Sequence, residues 1–145
     1  MDAYQIPLQV RWSDLDPNFH LRHSVYYDWG AFCRIQFLES TGLTAALMQE
    51  LGIGPILFRE ECVFRKEVRP QDTVAITLEI TKAKKDFSRW SIQHRVLKNE
   101  GIVSAQLTVD GAWLNTAQRK LATPPAVVID VFGKMPQAEG FVWME

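Results

Sequence analysis

One apolar helical segment constrains the fold of this chain more than any other feature. The pattern predicts an α-helix over residues 24–40, which Ser24 can cap and Gly42 can end. Its apolar residues cover much of the helix circumference rather than one stripe: Val25, Tyr26, Trp29, Phe32, Cys33, Phe37 and Leu38. A helix that is apolar on so many sides is usually wrapped by other elements, such as a curved sheet.

Strand patterns flank this helix in the sequence. Residues 4–12 alternate between apolar and polar side chains, which indicates a half-buried strand before the helix. A shorter helix is predicted over residues 43–51, and four extended segments follow it: 56–67, 73–83, 87–98 and 101–115. Short turns join these four segments, so we expect an antiparallel meander.

The order of these elements predicts a single α+β domain over residues 1–145. Its core is a five-stranded antiparallel sheet wrapped around one long central helix. Residues 125–145 form an extension of uncertain structure: a short helix is expected within residues 121–132, and residues 133–145 carry no clear pattern.

Composition limits the possible partners. The 145 residues carry a formal net charge of -1 and a pI near 6.3, so no basic field favours a nucleic-acid partner. The sequence shows neither a signal-peptide pattern nor an apolar run of the roughly 18 residues that indicate a membrane span. Cys33 and Cys62 show neither a metal nor a redox spacing. We therefore expect a reduced cytoplasmic protein without a membrane partner, a metal or another cofactor.

Ionisable side chains concentrate in the loop between the first strand and the long helix: Asp14, Asp16, His20, Arg22 and His23. A helix start offers unpaired N–H groups and a partial positive charge, which can stabilise a developing oxyanion. A carboxylate beside it can activate water or attack a carbonyl carbon. The loop is therefore a candidate hydrolytic site, although Asp16 could instead only cap the Asp-Pro-Asn turn.

The same side chains suggest a metal hydrolase as a weaker alternative. Carboxylates and imidazoles suit a metal ion, but the loop has neither H-x-x-x-H nor H-x-H spacing. A serine hydrolase of the α/β type is not supported either, because the sequence contains no G-x-S-x-G motif.

Residues 11–26, RWSDLDPNFHLRHSVY, resemble the opening motif of the hot-dog thioesterases related to 4-hydroxybenzoyl-CoA thioesterase. That motif runs approximately D-x-D-x-x-G-H-V-N-N-x-x-Y, and its two Asp, its His, an aliphatic residue and its Tyr match here. Weaker similarities extend the resemblance over roughly residues 5–124: Arg59, Glu60, Arg69, Pro70, Asp72, His94, Gly101, Ala105 and Lys120-Leu121. Phe19 stands where the family usually has Gly, so the loop backbone is expected to follow another path, and Arg22-His23 replaces Asn-Asn.

The resemblance implies an acyl-CoA thioesterase in which Asp16 acts as nucleophile or general base. It also implies that the backbone N–H of His23 polarises the thioester carbonyl. The side chains of His20 and His23 are candidates for orienting Asp16 or donating to the substrate, and Asp14 is expected to order the loop. His94 lies on the apolar face of its strand, which favours a hydrogen-bonded core histidine. A non-catalytic protein that binds acyl-CoA or acyl chains is the alternative, and the sequence does not determine the acyl group.

Two basic clusters could contact the phosphates of CoA. One contains Arg65, Lys66 and Arg69, and the other contains Lys82, Lys84, Lys85 and Arg89. We favour the predicted hairpin around Lys84, Lys85 and Arg89. A five-stranded sheet around one helix leaves its edges uncovered, which predicts a homodimer or a homotetramer built from dimers. The resemblance implies the same, with each site between two subunits.

Overall fold

The computed structural model describes residues 3–145 of the chain. A short 3₁₀ helix at Trp12–Asp14 follows the first strand. The strands and α-helices, labelled in chain order, are β1 (Tyr4–Leu8), α1 (His23–Ser40), α2 (Ala45–Leu51), β2 (Ile53–Phe64), β3 (Val74–Ala83), β4 (Arg89–Lys98), β5 (Ile102–Asn115), β6 (Lys120–Leu121), α3 (Ala126–Gly133) and β7 (Gln137–Trp143).

The main sheet has the strand order β1–β3–β4–β5–β2, and all of these neighbours are antiparallel. The five-stranded antiparallel sheet is confirmed. The expected four-strand meander is wrong at β2, however, because β2 pairs with β5 and not with β3. The connection to β3 passes the start of α1, where the Leu21 N–H donates to the Val68 carbonyl at 2.8 Å. That connection leads past β5 and β4 to β3, so it does not impose pairing of β2 with β3.

α1 is the long helix that the sequence predicted, and it packs against β3 and β5. Seven of its residues are buried: Val25, Tyr26, Trp29, Gly30, Cys33, Phe37 and Leu38. Phe32 is 44% exposed, so one chain does not cover the helix completely. Ser24 does not cap α1, because Arg22 is the N-cap residue and its Nε donates to Ser24 Oγ. No helix within residues 3–145 combines the length and apolar composition needed to cross a membrane.

The first strand is shorter than the alternating pattern predicted. β1 ends at Leu8, opposite Val74 at the start of β3, so the chain has no further partner in the sheet. The predicted strand extended to Trp12 with its apolar side chains on the buried face, but Trp12 begins the 3₁₀ helix and is 81% exposed. The departure from the sheet delivers the following loop to the start of α1.

The C-terminal extension completes the core. Phe132 of α3 lies 5.5 Å from the rings of both Trp90 and Trp113, measured between ring centroids. β7 then pairs in parallel with β3, beyond the part of β3 that β1 occupies. β6 pairs with the end of β5. The sheet therefore gains two short strands beyond the predicted five.

β2 is an edge strand with an exposed apolar surface. Four of its large apolar residues are between 40% and 53% exposed: Leu57, Phe58, Val63 and Phe64. A long edge strand with such side chains presents unpaired backbone groups to another chain. β2 is therefore the surface through which we expect copies of the chain to associate.

Candidate active site

A cavity of about 310 Å³ opens at the N-terminal end of α1. The loop after β1, the first turns of α1 and the end of β2 with the following segment form its wall: Asp16, His20, Leu21, His23, Tyr26, Phe64, Arg65, Lys66 and Glu67. The structure thus brings together the three catalytic candidates Asp16, His20 and His23.

Asp16 is anchored through one of its two carboxylate oxygens. Its Oδ1 accepts hydrogen bonds from the backbone N–H groups of Asn18 at 2.8 Å and His20 at 3.1 Å. The side chain therefore does cap its own turn, as the alternative interpretation held. Oδ2 has no hydrogen-bond partner among residues 3–145. One oxygen holds the loop while the other remains available for chemistry.

Asp14 orders the loop, as expected. Its side chain is 1% exposed and accepts from the Arg11 backbone N–H at 2.8 Å and from Arg11 Nη2 at 2.9 Å. Burial raises the pKa of this carboxyl, but the hydrogen bonds and charge of Arg11 outweigh burial and hold the pKa below its ordinary value. The Asp14 carbonyl also accepts from the Arg22 N–H at 2.7 Å, which ties the loop to the helix start.

His20 is oriented by a glutamate rather than by Asp16. Its Nε2 lies 2.9 Å from Glu67 Oε2, and both side chains are about one-third exposed, at 33% and 37%. Glu67 also accepts from Arg69 Nε at 2.9 Å. His20 therefore lines the cavity with Glu67, and not Asp16, as its side-chain partner.

α1 begins at His23. Because no helical turn precedes them, the N–H groups of His23 and Ser24 have no helical carbonyl to bond. The helix dipole adds a partial positive charge at this point. The exposed His23 imidazole forms no hydrogen bond with another described residue. The resemblance implies the His23 backbone N–H as the donor to the thioester carbonyl oxygen. His23 thus lies at the cavity that contains Asp16.

Tyr26, which matches the Tyr of the motif, lines the same cavity. The residue is 3% exposed and packs edge-on against Phe64, with 5.1 Å between ring centroids. Burial, with Cys62 and Asp16 nearby, raises the pKa of Tyr26 to about 12. The hydroxyl therefore keeps its proton near neutral pH and can donate a hydrogen bond.

Phe19 adopts a backbone conformation that glycine favours. Its φ is 62°, in the left-handed region that costs other residues about 1–2 kcal/mol. Its ring is 62% exposed and lies 6.4 Å from the ring of Trp12. The loop therefore makes a turn of the kind that glycine favours, and Phe19 places an aromatic surface near Asp16.

The structure separates the two basic clusters. Arg65 and Lys66 line the Asp16 cavity. The hairpin with Lys84, Lys85 and Arg89 follows the end of β3, whereas the Asp16 loop follows β1, which ends opposite the start of β3. Within one chain the favoured hairpin therefore lies at the opposite end of the sheet from Asp16.

His94 is a buried, hydrogen-bonded core histidine, as expected. It is 0% exposed, with Nδ1 2.8 Å from the Thr77 carbonyl oxygen and Nε2 3.0 Å from Arg34 Nη1. A carbonyl only accepts, so Nδ1 carries the proton and Nε2 accepts from Arg34. Burial, and then the positive charge of Arg34, lower the pKa of His94 to about 3.

We expect His94 to remain neutral at about pH 5. Its pKa is lower in the folded state than the unfolded value of about 6.5, so its contribution to stability is complete above that value. That contribution is lost as the pH falls from about 6.5 towards 3. Nitrogen NMR of the three histidines measures this directly. A His94 ring that protonates near pH 6 in the folded protein would contradict the assignment.

Among residues 3–145, no three His, Cys, Asp or Glu side chains lie close enough together to hold a metal ion. The cysteines are free thiols, and burial is the largest cause that raises the pKa of Cys33 to about 12 and that of Cys62 to about 11. Neither thiol is therefore a ready nucleophile near neutral pH.

Several solved structures share this fold. A hypothetical protein from Staphylococcus aureus in complex with CoA is 18% identical with a TM-score of 0.83, covering 99% of this chain and 90% of that chain. A 1,4-dihydroxy-2-naphthoyl-CoA thioesterase from Synechocystis is 16% identical with a TM-score of 0.81, covering 92% and 97%. A Thermus thermophilus thioesterase complexed with CoA and Zn is 20% identical with a TM-score of 0.72, covering 88% and 89%.

These likenesses establish the hot-dog fold, which the sequence predicted. No curated protein matches the sequence. The family model of the thioesterase-like superfamily, however, matches residues 10–132, a span that includes the Asp16 loop, α1 and strands β2 to β5. The chain therefore belongs to the thioesterase-like superfamily.

Proposed function

We propose that this protein hydrolyses an acyl-CoA thioester to a free carboxylic acid and CoA, with Asp16 as the key carboxylate. The observation that carries this proposal is one cavity in which Asp16, with an unbonded Oδ2, meets the unpaired N–H groups at the start of α1. Family membership and the CoA complexes of two proteins with this fold support an acyl-CoA substrate.

Asp16 can act by either of two routes. As a general base it takes a proton from water, the water oxygen attacks the thioester carbon, and the C–S bond breaks. As a nucleophile it attacks that carbon itself, and water then hydrolyses the mixed anhydride. In both routes the CoA thiolate leaves and takes up a proton. Because a thiol has a pKa of about 8.5, the thiolate leaves without a strong general acid.

The remaining cavity residues have supporting roles in this proposal. The His23 N–H stabilises the negative charge that develops on the carbonyl oxygen. The side chains of His20 and His23 and the Tyr26 hydroxyl contact the substrate. Arg65 and Lys66 face the phosphates of CoA from the same chain, whereas Lys84, Lys85 and Arg89 reach them from a second copy of the chain.

Release of free CoA thiol from a panel of aryl and straight-chain acyl-CoAs tests the proposal. We expect turnover of at least one member well above the rate without enzyme, and no turnover of the matching oxygen esters, whose alkoxides leave less easily. An inert protein that still binds acyl-CoA would refute hydrolysis and favour a binding role.

We also propose that the chain forms a homodimer through the β2 edge, or a homotetramer built from two such dimers. The exposed apolar side chains on that strand are the reason. Light scattering is expected to give at least twice the chain mass of 16.6 kDa. Val63→Lys should weaken association at least about tenfold and lower activity, because a charged edge opposes pairing.

The matched control is Val142→Lys on β7, where the parent side chain is 56% exposed against 50% for Val63. It should leave both the mass and the activity unchanged. A parent protein that is monomeric and fully active at low concentration would contradict the proposed interface.

A further inference from the structure

A second cavity, of about 200 Å³, lies between α1 and the sheet. Ile35, Leu57, Leu78, Trp90 and Phe132 supply much of its wall, and Arg34 is the one charged residue among the described residues that line it. The Arg34 side chain is only 14% exposed. A buried cation in an apolar wall is costly unless a partner compensates it.

Arg34 has few such partners. Of its five N–H donors, one bonds His94 Nε2 at 3.0 Å, and no other hydrogen bond joins the guanidinium to a described residue. The nearest carboxylate oxygen is Glu60 Oε2, 3.9 Å from Nη2, which is beyond hydrogen-bond distance. His94 is neutral, so it supplies an acceptor but no charge. The guanidinium therefore has a long ion pair with Glu60 but keeps N–H donors from which a carboxylate of the substrate can accept.

Gly30 makes room for this arrangement. A Cβ at that position would lie 3.3 Å from Arg34 Nη1 and 3.4 Å from His94 Cδ2. The missing side chain lets the guanidinium fold back along α1 towards His94. Any side chain at position 30 would therefore crowd Arg34 in its buried position.

We infer that this cavity receives the acyl group of the substrate, and that Arg34 selects acyl groups that end in a carboxylate. The inference rests on the proposed acyl-CoA hydrolysis. The volume suits a short chain, because an engineered protein cavity of about 150 Å³ holds one benzene molecule. A six-carbon acyl group with a terminal carboxylate fits both the size and the charge.

Pairing with a second copy of the chain allows one short acyl group to reach both an Asp16 cavity and an Arg34 cavity. His23 and Arg34 are about 16 Å apart along α1, further than six carbons extend. On β2, Leu57 lines the Arg34 cavity and Phe64 lines the Asp16 cavity. These two residues lie symmetrically about the Glu60–Glu61 bond, as do Phe58 and Val63. Antiparallel pairing of two β2 strands about that point sets the Arg34 cavity of one copy beside the Asp16 cavity of the other.

The test compares adipoyl-CoA with hexanoyl-CoA, which share a six-carbon chain and differ in the terminal carboxylate. We expect the parent protein to favour adipoyl-CoA in kcat/KM by about tenfold or more. Arg34→Met keeps the length of the side chain and removes its charge. It should lower kcat/KM for adipoyl-CoA by about 10- to 100-fold, and that for hexanoyl-CoA by less than about threefold.

Two further variants keep the result interpretable. Arg34→Lys retains the charge without the fork and should keep part of the preference, even if Arg34→Met does not fold. Glu60→Gln removes the nearby carboxylate and should preserve or increase the preference. A parent that favours hexanoyl-CoA, or an Arg34→Met variant that slows both substrates equally, would overturn the inference while leaving the proposed hydrolysis intact.

Binding of the free acids separates this inference from the proposed function. Adipate should raise the melting temperature of the parent and of Asp16→Asn more than hexanoate does, and should not raise that of Arg34→Met. If no acyl-CoA is hydrolysed but adipate still binds through Arg34, the proposed reaction fails and the anion site stands. Equal shifts with both acids would refute the anion site.

Discussion

Asp16→Asn is expected to lower turnover of the best acyl-CoA by about 10² to 10⁴ while leaving thermal stability unchanged. The reason is that the two carboxylate oxygens of Asp16 have different roles. Oδ1 accepts the N–H groups of Asn18 and His20, and an asparagine Oδ1 can accept both. The substitution replaces Oδ2 by an amide nitrogen, which can neither take a proton from water nor attack a carbonyl carbon.

Asp28→Asn is the matched control, because Asp28 is an exposed residue of α1 and lies outside the cavity. It should leave turnover unchanged. Asp14→Asn should behave differently from both, losing about 1–3 kcal/mol of stability because the buried side chain accepts from Arg11. If Asp16→Asn turns over the substrate as fast as the parent, Asp16 only caps its turn and has no role in catalysis.

The elements with strong periodic signals were predictable from the sequence. The apolar pattern gave α1, and alternation with short turns gave β3, β4 and β5 nearly as they occur. The position of β2 was not predictable in the same way. Its pairing with β5 depends on a connection that crosses the start of α1, and local turn signals describe only neighbours joined directly.

The C-terminal extension illustrates a second limit. Its residues 137–143 form a strand because the edge of β3 continues past the start of β1 at Tyr4, and that pairing position exists only in the folded sheet. The prediction for Trp12 was wrong for a related reason. The alternating pattern continues to Trp12, but the pairing of β1 with β3 ends at Leu8. Sequence patterns show which face a residue prefers, but not whether a neighbour is present.

The residues of the candidate site also divide into those that the sequence predicted and those that it did not. The motif located Asp16, His20 and His23, and the structure places all three at one cavity. Tyr26 matched the motif without being assigned a role, and Arg34 was not predicted, because a single cation in a helix is usually exposed. Only the packing of α1 on the sheet, with Gly30 beside His94, shows that Arg34 is enclosed.

Gly111→Ala is expected to destabilise the fold by about 3 kcal/mol or more. Gly111 of β5 lies between Leu57 of β2 and Trp90 of β4 in the sheet. A Cβ there would lie 2.3 Å from Trp90 Cη2 and 2.6 Å from the Ile56 carbonyl oxygen. Trp90 cannot easily move, because it is 3% exposed and packs on Phe132. The carbonyl belongs to the backbone of β2, so relief there must shift the strand itself.

A matched control and a compensating change make this prediction specific to the contact between Trp90 and Gly111. Gly133→Ala adds a Cβ with no atom within 4 Å, and should leave the free energy of unfolding within about 1 kcal/mol of the parent. Trp90→Leu removes the ring that the new methyl group meets, so it should cost less in the Gly111→Ala background than in the parent. Chemical denaturation of the four proteins in that cycle measures the coupling. If Gly111→Ala is as stable as the parent, or the two changes are simply additive, close packing of Trp90 over Gly111 does not fix the position of β2 beside β5.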